Sequence, residues 1–361
     1  MLYFCTLFDN NYLSRGLAMY ESLKKHCTSF HLYILAFNDV TYSVLKDLQL
    51  EYCTIISLKD FENEELVSIK ESRSIAEYCW TCTPSLIKYC IEAYNIPHCT
   101  YIDADIYFYS DPAILVEEMG ENSISLSPHW YTPVYDKSSL TGIYCVQFMT
   151  FKNDSYGLSA LNWWVKACNE WCYARFEDGK FGDQKYLDDW PYRFKNVQIL
   201  NNRGAGVAPW NVQQYQLKET FQKGILLSCK KERKDFSVVF YHFHDVRFRK
   251  DSKIDLGSYL LPKWVKNTFY KPYIQHILKI EKKYREYGVP FHEQKEVKNI
   301  FLDNLKTSLQ RIYILKHFFF FTLNFFLSKK KKKNSSQFFQ NSIKKLLFNR
   351  NIYTTKYFLE E

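Results

Sequence analysis

The first 300 residues of this 361-residue chain have no excess of charge of either sign. The whole chain carries 48 Lys+Arg and 39 Asp+Glu; residues 301–361 hold 12 of the basic and 3 of the acidic side chains, which leaves 36 of each for the first 300. A nucleic-acid-binding body requires a basic face. Nucleic acid is therefore excluded as a partner of the main body, and the net charge of +9 belongs to residues 301–361.

The amino terminus has no basic residue before its apolar run and no small-residue cleavage site, so we expect no signal peptide. The 11 cysteines form no short framework, and their number is odd. These features predict a reducing, cytoplasmic location. Cys79/Cys82 and Cys168/Cys172 are spaced like zinc ligands, but they stand in aromatic, helix-like segments where cysteine acts as a small core residue. We expect no zinc site there.

The sequence also has no apolar run of the roughly 20 residues that span a bilayer. An aromatic stretch at 312–327 contains Lys316 and His317 and is followed by five lysines at 329–333. This pattern predicts a helix lying on an anionic cytoplasmic leaflet, with about 1 kcal/mol from each lysine. A disordered, low-complexity tail is the alternative. We expect a cytoplasmic protein, peripheral at the inner face of the plasma membrane through residues 312–333.

Apolar strands alternate with amphipathic helices from the first residues onward. Three segments have the composition of buried strands, and helical patterns separate them: 2–8, 31–37 and 53–58. This order predicts an α/β domain over residues 1–250, with a mixed, mostly parallel sheet flanked by helices. Residues 251–300 are predicted to form a helical extension and linker, and residues 301–361 a helical basic tail rich in aromatics.

Two aspartates, one residue apart, follow another apolar strand. The strand ends in Asp103 and Asp105, and a second extended run over 106–109 comes next. Carboxylates at the end of an apolar strand are costly unless a cation compensates them. Two hard oxygen ligands at this spacing suit Mg²⁺ or Mn²⁺ with positions left open for substrate phosphates. Aspartates that only cap a strand-to-turn junction give the same pattern.

Ligands of parallel sheets bind beyond the carboxyl ends of the strands. Asp9 stands at one such end and the two aspartates at another, which predicts a nucleotide site at this edge. A last apolar strand over 237–243 leads into His244. Alternation places His242 and His244 on the same face, so either imidazole is a candidate third metal ligand.

Two further segments are candidates for phosphate contacts. Thr83 and Pro84 predict the start of a helix over 85–94, and Lys88 on that helix could reach a phosphate. Residues 204–211 form a glycine-bearing loop suited to close backbone approach. This loop does not match a P-loop or a dinucleotide fingerprint.

Four segments, in this order, resemble those of GT-A-fold glycosyltransferases, in particular the family-eight nucleotide-sugar transferases and related bacterial surface-polysaccharide enzymes. The resemblance covers residues 1–247. The segments are Phe4-Cys-Thr-Leu-Phe-Asp-Asn-Asn-Tyr12, similar to the opening strand and nucleotide-base loop; Tyr101-Ile-Asp-Ala-Asp105, the metal motif; Phe181-Gly-Asp-Gln-Lys-Tyr-Leu187, the Asp-Gln-x-x-Leu segment; and Tyr241-His-Phe-His244, the metal-histidine strand.

The resemblance implies a UDP-sugar donor and a glycan or lipid-linked acceptor in lipopolysaccharide or capsule synthesis. It implies Mn²⁺, or Mg²⁺, held by Asp103, Asp105 and a histidine, His242 in preference to His244. Asp183 and Gln184 are the implied catalytic residues, facing the donor sugar. The residues that would bind the nucleotide sugar are Thr6, Asp9, Tyr12, Lys88, Asp103, Gln147 and Asn211.

The sequence departs from the family pattern in three places. Tyr144-Cys-Val-Gln147 stands where the family has Asn-Ala-Gly, His242-Phe-His-Asp245 where it has His-x-x-Gly, and only Pro262-Lys-Trp264 echoes its Lys-Pro-Trp. Deprotonation of the acceptor by Asp183 would invert the sugar configuration, and frontside attack above Gln184 would retain it. Two other functions remain open, a non-catalytic membrane-associated scaffold and a metal-dependent phosphohydrolase.

Overall fold

The structure is a computed structural model, and it describes residues 1–221, 224–249, 252–288, 294–295 and 351–359. Within these residues no helix is long and apolar enough to cross a membrane. The predicted membrane-surface segment, 312–333, lies outside the described residues.

The amino-terminal part is a parallel sheet with helical crossovers, as the strand and helix pattern predicts. Strand β1 pairs in parallel with β2, and β2 with β3. Asn38 caps the second helix by accepting the N–H of Thr41 at 2.8 Å. The elements are β1 (Leu2–Phe8), α1 (Leu13–His26), β2 (Phe30–Ala36), α2 (Asp39–Leu48), β3 (Cys53–Ser57), α3 (Leu58–Phe61) and α4 (Glu64–Lys70).

Helix α5 (Ile75–Tyr94) runs unbroken through Pro84 and delivers the chain to β4 (His98–Ile102). The prediction that a helix starts at Thr83 and Pro84 is therefore wrong. The helix begins instead at a capping box: the hydroxyl of Ser74 accepts the N–H of Glu77, and the carboxylate of Glu77 accepts the N–H of Ser74 at 2.8 Å. This box and the packing of α5 on the sheet outweigh the cost of an interior proline.

The sheet becomes mixed beyond β4. The strand order is β3-β2-β1-β4-β8-β6-β7. Pairing is antiparallel between β4 and β8, between β8 and β6 and between β6 and β7. Strand β9 pairs with β6 in parallel. The elements are β5 (Ile106–Phe108), α6 (Ala113–Glu118), β6 (Ile124–Pro128), α7 (Ser138–Thr141), β7 (Tyr144–Cys145), β8 (Phe148–Lys152), α8 (Ser155–Glu170), α9 (Trp190–Arg193) and β9 (Val197–Ile199).

A small three-stranded sheet, β10-β14-β5, stands at the end of β4. Its antiparallel pairing places His242 opposite Ile106, beside the two aspartates. The carboxyl-terminal elements are β10 (Ala205–Val207), β11 (Tyr215–Phe221), β12 (Gly224–Cys229), β13 (Asp235–Ser237), β14 (Phe240–His242), β15 (Arg247–Arg249), β16 (Lys253–Asp255), α10 (Lys263–Val265), α11 (Lys271–Lys283), β17 (Gln294–Lys295), β18 (Ile352–Thr354) and α12 (Thr355–Leu359).

Apolar side chains form one core on each face of the main sheet. Trp164 is fully buried in one of them, as its spacing predicts. The other core continues past residue 250 into α11, through Tyr273 and Ile277. Helix α11 therefore belongs to the same folded body as the strands before it.

Part of the predicted tail returns to this body. Strand β18 pairs antiparallel with β16, and Phe358 in α12 is fully buried. Asn351 donates its side-chain amide to the carbonyls of Gly257 and Tyr259, at 3.2 and 2.7 Å.

Three cysteines meet in the core between α5 and the sheet. The Sγ atoms of Cys5 (β1), Cys90 (α5) and Cys99 (β4) lie within 4.8 Å of one another, and all three side chains have no exposed surface. We call this group the thiol cluster.

Candidate metal centre

Asp103, Asp105 and His242 converge where β4 ends. Nε2 of His242 lies 3.1 Å from Oδ1 of Asp105 and 3.8 Å from Oδ2 of Asp103. The three potential ligand atoms lie within 4.8 Å of one another. Antiparallel pairing of β14 with β5 fixes this arrangement, and the N–H of Phe243 donates to the carbonyl of Asp105 at 2.9 Å. We call these three side chains the Asp–Asp–His centre.

The centre is recessed but open to solvent: the side chains of Asp103 and Asp105 are 27% and 16% exposed. Desolvation, against the opposing charge of His242, raises the pKa of Asp103 to about 6. Desolvation opposes ionisation of Asp105 too, but the charge and hydrogen bond of His242, with smaller effects of His244 and Arg15, hold its pKa at about 2. Without a metal, the centre is therefore an ion pair of Asp105 with a protonated imidazole, flanked by a carboxyl group of weakened acidity.

Gln147 fixes the orientation of the imidazole. Its Oε1 lies 2.6 Å from Nδ1 of His242, so Nδ1 carries the proton and Nε2 faces the aspartates. The Nε2 atom of Gln147 is buried and has no hydrogen-bond partner among the described residues. A Cβ atom on Gly206, which has φ of +107°, would lie 2.3 Å from that nitrogen, so only glycine leaves room for it.

The residues present fit a hard divalent cation. Two carboxylates and an oriented imidazole suit Mn²⁺ and Mg²⁺, and Gln147 supplies the hydrogen bond that metal-ligating histidines receive at their second nitrogen. The buried Nε2 of the same amide has no hydrogen-bond partner among the described residues.

His244 does not join the centre, contrary to the prediction from strand alternation. Strand β14 ends at His242 and the chain turns, so alternation stops one residue later. The His244 ring is exposed and lies with its edge toward Trp210, with ring centroids 5.6 Å apart. Of the two histidines, the structure thus brings only His242 to the aspartates.

Asp183 and Gln184 lie on the segment between α8 and α9, just before a 3-10 helix at Lys185–Asp189. Desolvation, together with the charge of Asp103, raises the pKa of Asp183 to about 8, and its side chain is 6% exposed. The indole N–H of Trp164 donates to the carbonyl of Asp183 at 2.9 Å. A buried carboxyl group of the predicted catalytic segment thus stands within electrostatic reach of the centre.

Thr6, Asp9 and Tyr12 lie at or beyond the carboxyl end of β1, the strand beside β4. The hydroxyl of Thr6 is buried and has no hydrogen-bond partner in the described part of the chain. The carboxylate of Asp9 accepts the backbone N–H and the side-chain amide of Asn11, both at 2.9 Å. The ring of Tyr12 lies 4.3 Å from the guanidinium of Arg15. The predicted nucleotide loop is thus at the same edge of the sheet as the centre.

The structure does not bring Lys88 and Asn211 to ligand-facing positions. Lys88 lies on the surface of α5 and pairs with Glu92 at 3.8 Å. Asn211 is fully buried, and its amide holds the 204–211 loop: Nδ2 donates to the carbonyls of Gly206 and His129 at 2.8 and 2.9 Å, and Oδ1 accepts the N–H of Ala208 at 3.0 Å. Its side-chain groups thus shape the backbone beside Gln147.

Several residues around the centre carry no strong signal in the amino-acid sequence. Trp210 lies with its edge toward His242, with centroids 5.2 Å apart, and donates its indole N–H to the carbonyl of His129 at 2.9 Å. The ring of His129, 3% exposed, stacks on Tyr131. Burial lowers the pKa of His129 to about 3, so it stays neutral. The sequence marks Trp210, His129 and Tyr131 only as aromatic residues, and aromatic residues are equally typical of a hydrophobic core.

No protein-family model matches this sequence. Two proteins of Bacillus subtilis (strain 168) are similar to it. The uncharacterized protein YfnF is 31% identical over 253 residues, which cover 68% of this chain and 81% of YfnF. The uncharacterized protein YfnD is 27% identical over 284 residues, which cover 76% of this chain and 88% of YfnD.

Among solved structures, that of the galactosyltransferase LgtC in complex with donor and acceptor sugar analogues matches this chain with a TM-score of 0.50 and 11% identity. The match covers 79% of this chain and 100% of that chain. At this identity the likeness concerns the fold: an α/β body with a mixed, mostly parallel sheet between helices, as the sequence predicts.

Proposed function

This chain belongs to the family of the Bacillus subtilis protein YfnF and has the GT-A glycosyltransferase fold, and from this premise we propose that it is a metal-dependent glycosyltransferase. The donor is a nucleoside diphosphate sugar, UDP-sugar by chemical class, and the acceptor is a glycan or a lipid-linked hydroxyl compound. The observation that carries the proposal is the convergence of Asp103, Asp105 and His242 at the carboxyl edge of the sheet.

Asp103, Asp105 and Nε2 of His242 would hold Mn²⁺, or Mg²⁺. When bound, the ion offsets the charge that develops on the diphosphate as the sugar leaves. Gln147 keeps the imidazole in the tautomer that offers Nε2. The Nε2 atom of Gln147 is buried against Gly206 and is an unpartnered donor beside the imidazole.

The nucleotide side of the site is formed by the Asp9–Tyr12 loop. Asp9 is fixed by its two hydrogen bonds to Asn11, which holds the loop rigid against β1. Tyr12 offers a partly exposed aromatic face to a base. Thr6 contributes a buried hydroxyl group that has no hydrogen-bond partner among the described residues.

Asp183 and Gln184 are the candidates for the reacting sugar. With a pKa of about 8, Asp183 is mostly protonated at pH 7. Only its ionised form, which the charge of a cation bound at Asp103 would favour, takes the acceptor proton, with inversion. Gln184, half-buried beside it, would serve frontside attack with retention.

Binding of nucleotide sugars tests the proposal first. A panel of UDP-, GDP- and CDP-sugars is compared by thermal shift with and without Mn²⁺, for the wild type and Asp103→Asn. We expect UDP-sugars to raise the melting temperature only with Mn²⁺, because the ion joins the diphosphate to the carboxylates, and Asp103→Asn to abolish that shift. Equal stabilisation of both proteins, or none by any nucleotide, contradicts the proposal.

Turnover is measured with the nucleotide sugar that binds, as release of nucleoside diphosphate. Asp103→Asn is expected to lower it by about a thousandfold or more while the circular dichroism spectrum stays unchanged. Near-normal turnover of this variant in Mn²⁺ would remove the metal from the mechanism.

The place of action remains a proposal based on sequence: lipopolysaccharide or capsule synthesis at the inner face of the plasma membrane. Its support is the aromatic and lysine-rich segment 312–333. A chain lacking only 312–333 and retaining 351–359 is compared with the full chain by flotation with anionic vesicles. Unchanged binding would exclude that segment as the anchor.

A further inference from the structure

Arg15, in the first turns of α1, is a buried cation that the sequence analysis did not single out. Its side chain is 4% exposed. Nη1 donates to the carbonyl of Asn11 at 3.1 Å, and Nη2 donates to the carbonyl of Val246 at 2.9 Å. Among the described residues, no carboxylate stands at ion-pair distance from it. Because neutral carbonyls do not compensate a buried charge, negative charge further away must stabilise this guanidinium.

The charge of Arg15 acts on the Asp–Asp–His centre. It is one of the positive charges that depress the pKa of Asp105, after the opposing effect of burial and the larger contributions of the histidines. It also acts on Tyr273 of α11, whose hydroxyl is buried and has no hydrogen-bond partner in the described ranges. The hydroxyl of Tyr273 thus keeps an unused hydrogen-bond donor.

Arg15 also joins two segments that are distant in sequence, and its acceptor Val246 lies 231 residues after it. Asn11 belongs to the loop after β1, and Val246 follows the metal histidine. The guanidinium carbon lies 4.3 Å from the ring centroid of Tyr12 and 5.3 Å from that of Phe248. A planar guanidinium group that is held by two carbonyls and two aromatic rings has little conformational freedom. It therefore fixes these two segments relative to each other.

We propose that Arg15 is a positioning residue of the nucleotide-sugar site, and this rests on the proposed function. It holds the Tyr12 loop against the Val246 segment, which follows His242. A nucleotide sugar that contacts both segments needs them at a fixed separation, and Arg15 sets that separation.

The test is to measure two affinities, for Mn²⁺ alone and for UDP in saturating Mn²⁺, by calorimetry on the full chain. Arg15→Met is expected to weaken UDP binding about tenfold or more, because the two segments lose their common anchor. Its Mn²⁺ affinity should change less than about twofold, because the hydrogen bonds of Arg15 go to the carbonyls of Asn11 and Val246 and not to the ligand side chains. Arg15→Lys keeps the charge but loses the fork, so Mn²⁺ affinity should stay unchanged while UDP binds about threefold more weakly.

Arg73→Met is the matched control. Arg73 also donates to a backbone carbonyl, that of Asn169, at 3.1 Å, and its guanidinium carbon lies 4.0 Å from the ring centroid of Tyr173. The Arg73→Met variant should have a lower melting temperature than the wild type, with unchanged affinities for Mn²⁺ and for UDP. A merely structural Arg15 would weaken both Mn²⁺ and UDP in Arg15→Met, or neither, and either result overturns the inference.

Two further outcomes stay decisive. If Arg15→Met does not fold, as judged by circular dichroism, Arg15→Lys decides alone, and unchanged UDP affinity in it overturns the inference. If the wild type binds no UDP, the proposed function fails; if the wild type binds UDP and Arg15→Met binds it equally well, only the inference about Arg15 fails.

Discussion

Among the residues that the structure describes, two groups of side chains satisfy the distance requirement for a metal site, and their surroundings differ completely. The Asp–Asp–His centre lies at an open edge of the sheet, where its carboxylates keep contact with solvent. The thiol cluster is sealed between α5 and the sheet. Burial raises the pKa values of Cys5 and Cys90 well above the ordinary value, so these thiols keep their protons. Ligand geometry alone therefore does not define a metal site; access and charge decide.

The sharpest test of this comparison is a pair of histidine variants. His242→Ala should weaken Mn²⁺ binding about a thousandfold, or about 4 kcal/mol, because it removes the ligand that joins both carboxylates. His244→Ala should change it less than threefold, since its ring faces Trp210. Calorimetric titration with Mn²⁺ measures both. Equal losses in the two variants would show that His244 moves into the centre.

Asp183 allows a test of how much the burial of a carboxyl group beside the centre lowers the free energy of unfolding. Its pKa of about 8 in the folded state exceeds the ordinary 3.8. The unfolded chain therefore releases this proton from about pH 4 upward while the folded chain keeps it to about pH 8, so folding is progressively penalised across that interval. Asp183→Asn should be more stable than the wild type by roughly 4 kcal/mol at pH 7 and about equally stable at pH 3.5.

Urea unfolding at both pH values measures this difference, and turnover should fall in the same variant. The exposed Asp189, paired with Arg193, is the control: Asp189→Asn should show no gain at pH 7. A loss of stability in Asp183→Asn at pH 7 would mean that the buried carboxylate has a compensating partner.

Gln147→Leu is expected to weaken Mn²⁺ binding about tenfold, because the imidazole loses the acceptor that fixes its tautomer. Gln198→Leu on β9 removes an amide bonded to the carbonyl of Ile199, away from the centre, and should leave Mn²⁺ affinity unchanged. The same titration applies. Full Mn²⁺ affinity in Gln147→Leu would mean that packing alone orients His242.

The smallest effect is expected in the thiol cluster. Cys99→Ala should cost about 1 kcal/mol of unfolding free energy, as removal of one small buried group does. It should leave Mn²⁺ affinity within about twofold. Metal content by mass spectrometry should show no zinc in either the wild type or Cys99→Ala. Zinc that co-purifies with the wild type and disappears from Cys99→Ala would make the thiol cluster a second metal site.

The first part of the fold was predictable because each of its elements carries a local signal. Strand β1 is an unbroken apolar run with the predicted bounds, and Asp103 and Asp105 follow β4 as a recognisable pair. Pro84 was misleading, because the capping box that starts α5 lies ten residues earlier. Strand alternation wrongly predicted His244 as a candidate ligand, because the end of β14 is set by its pairing with β5. That pairing is a tertiary contact and cannot be read from the local sequence.

Long-range roles were not readable from sequence. Lys88 is different, since Glu92 four residues later is a local signal for the i, i+4 ion pair that the structure contains. Asn211 is satisfied by carbonyls that only the folded loop brings to it. Arg15 has the appearance of an ordinary helix-surface residue, yet Val246 is its acceptor. Buried polar side chains acquire their roles from residues far away in the chain.

The last described strand, β18, is the outer neighbour of β16, and β17 flanks β15 on the other side. The chain therefore leaves this four-stranded sheet at one margin and re-enters it at the other. A premature stop codon after residue 300 would delete an integral strand together with Phe358, so such an allele should yield misassembled protein rather than an enzyme that has merely lost its lysines.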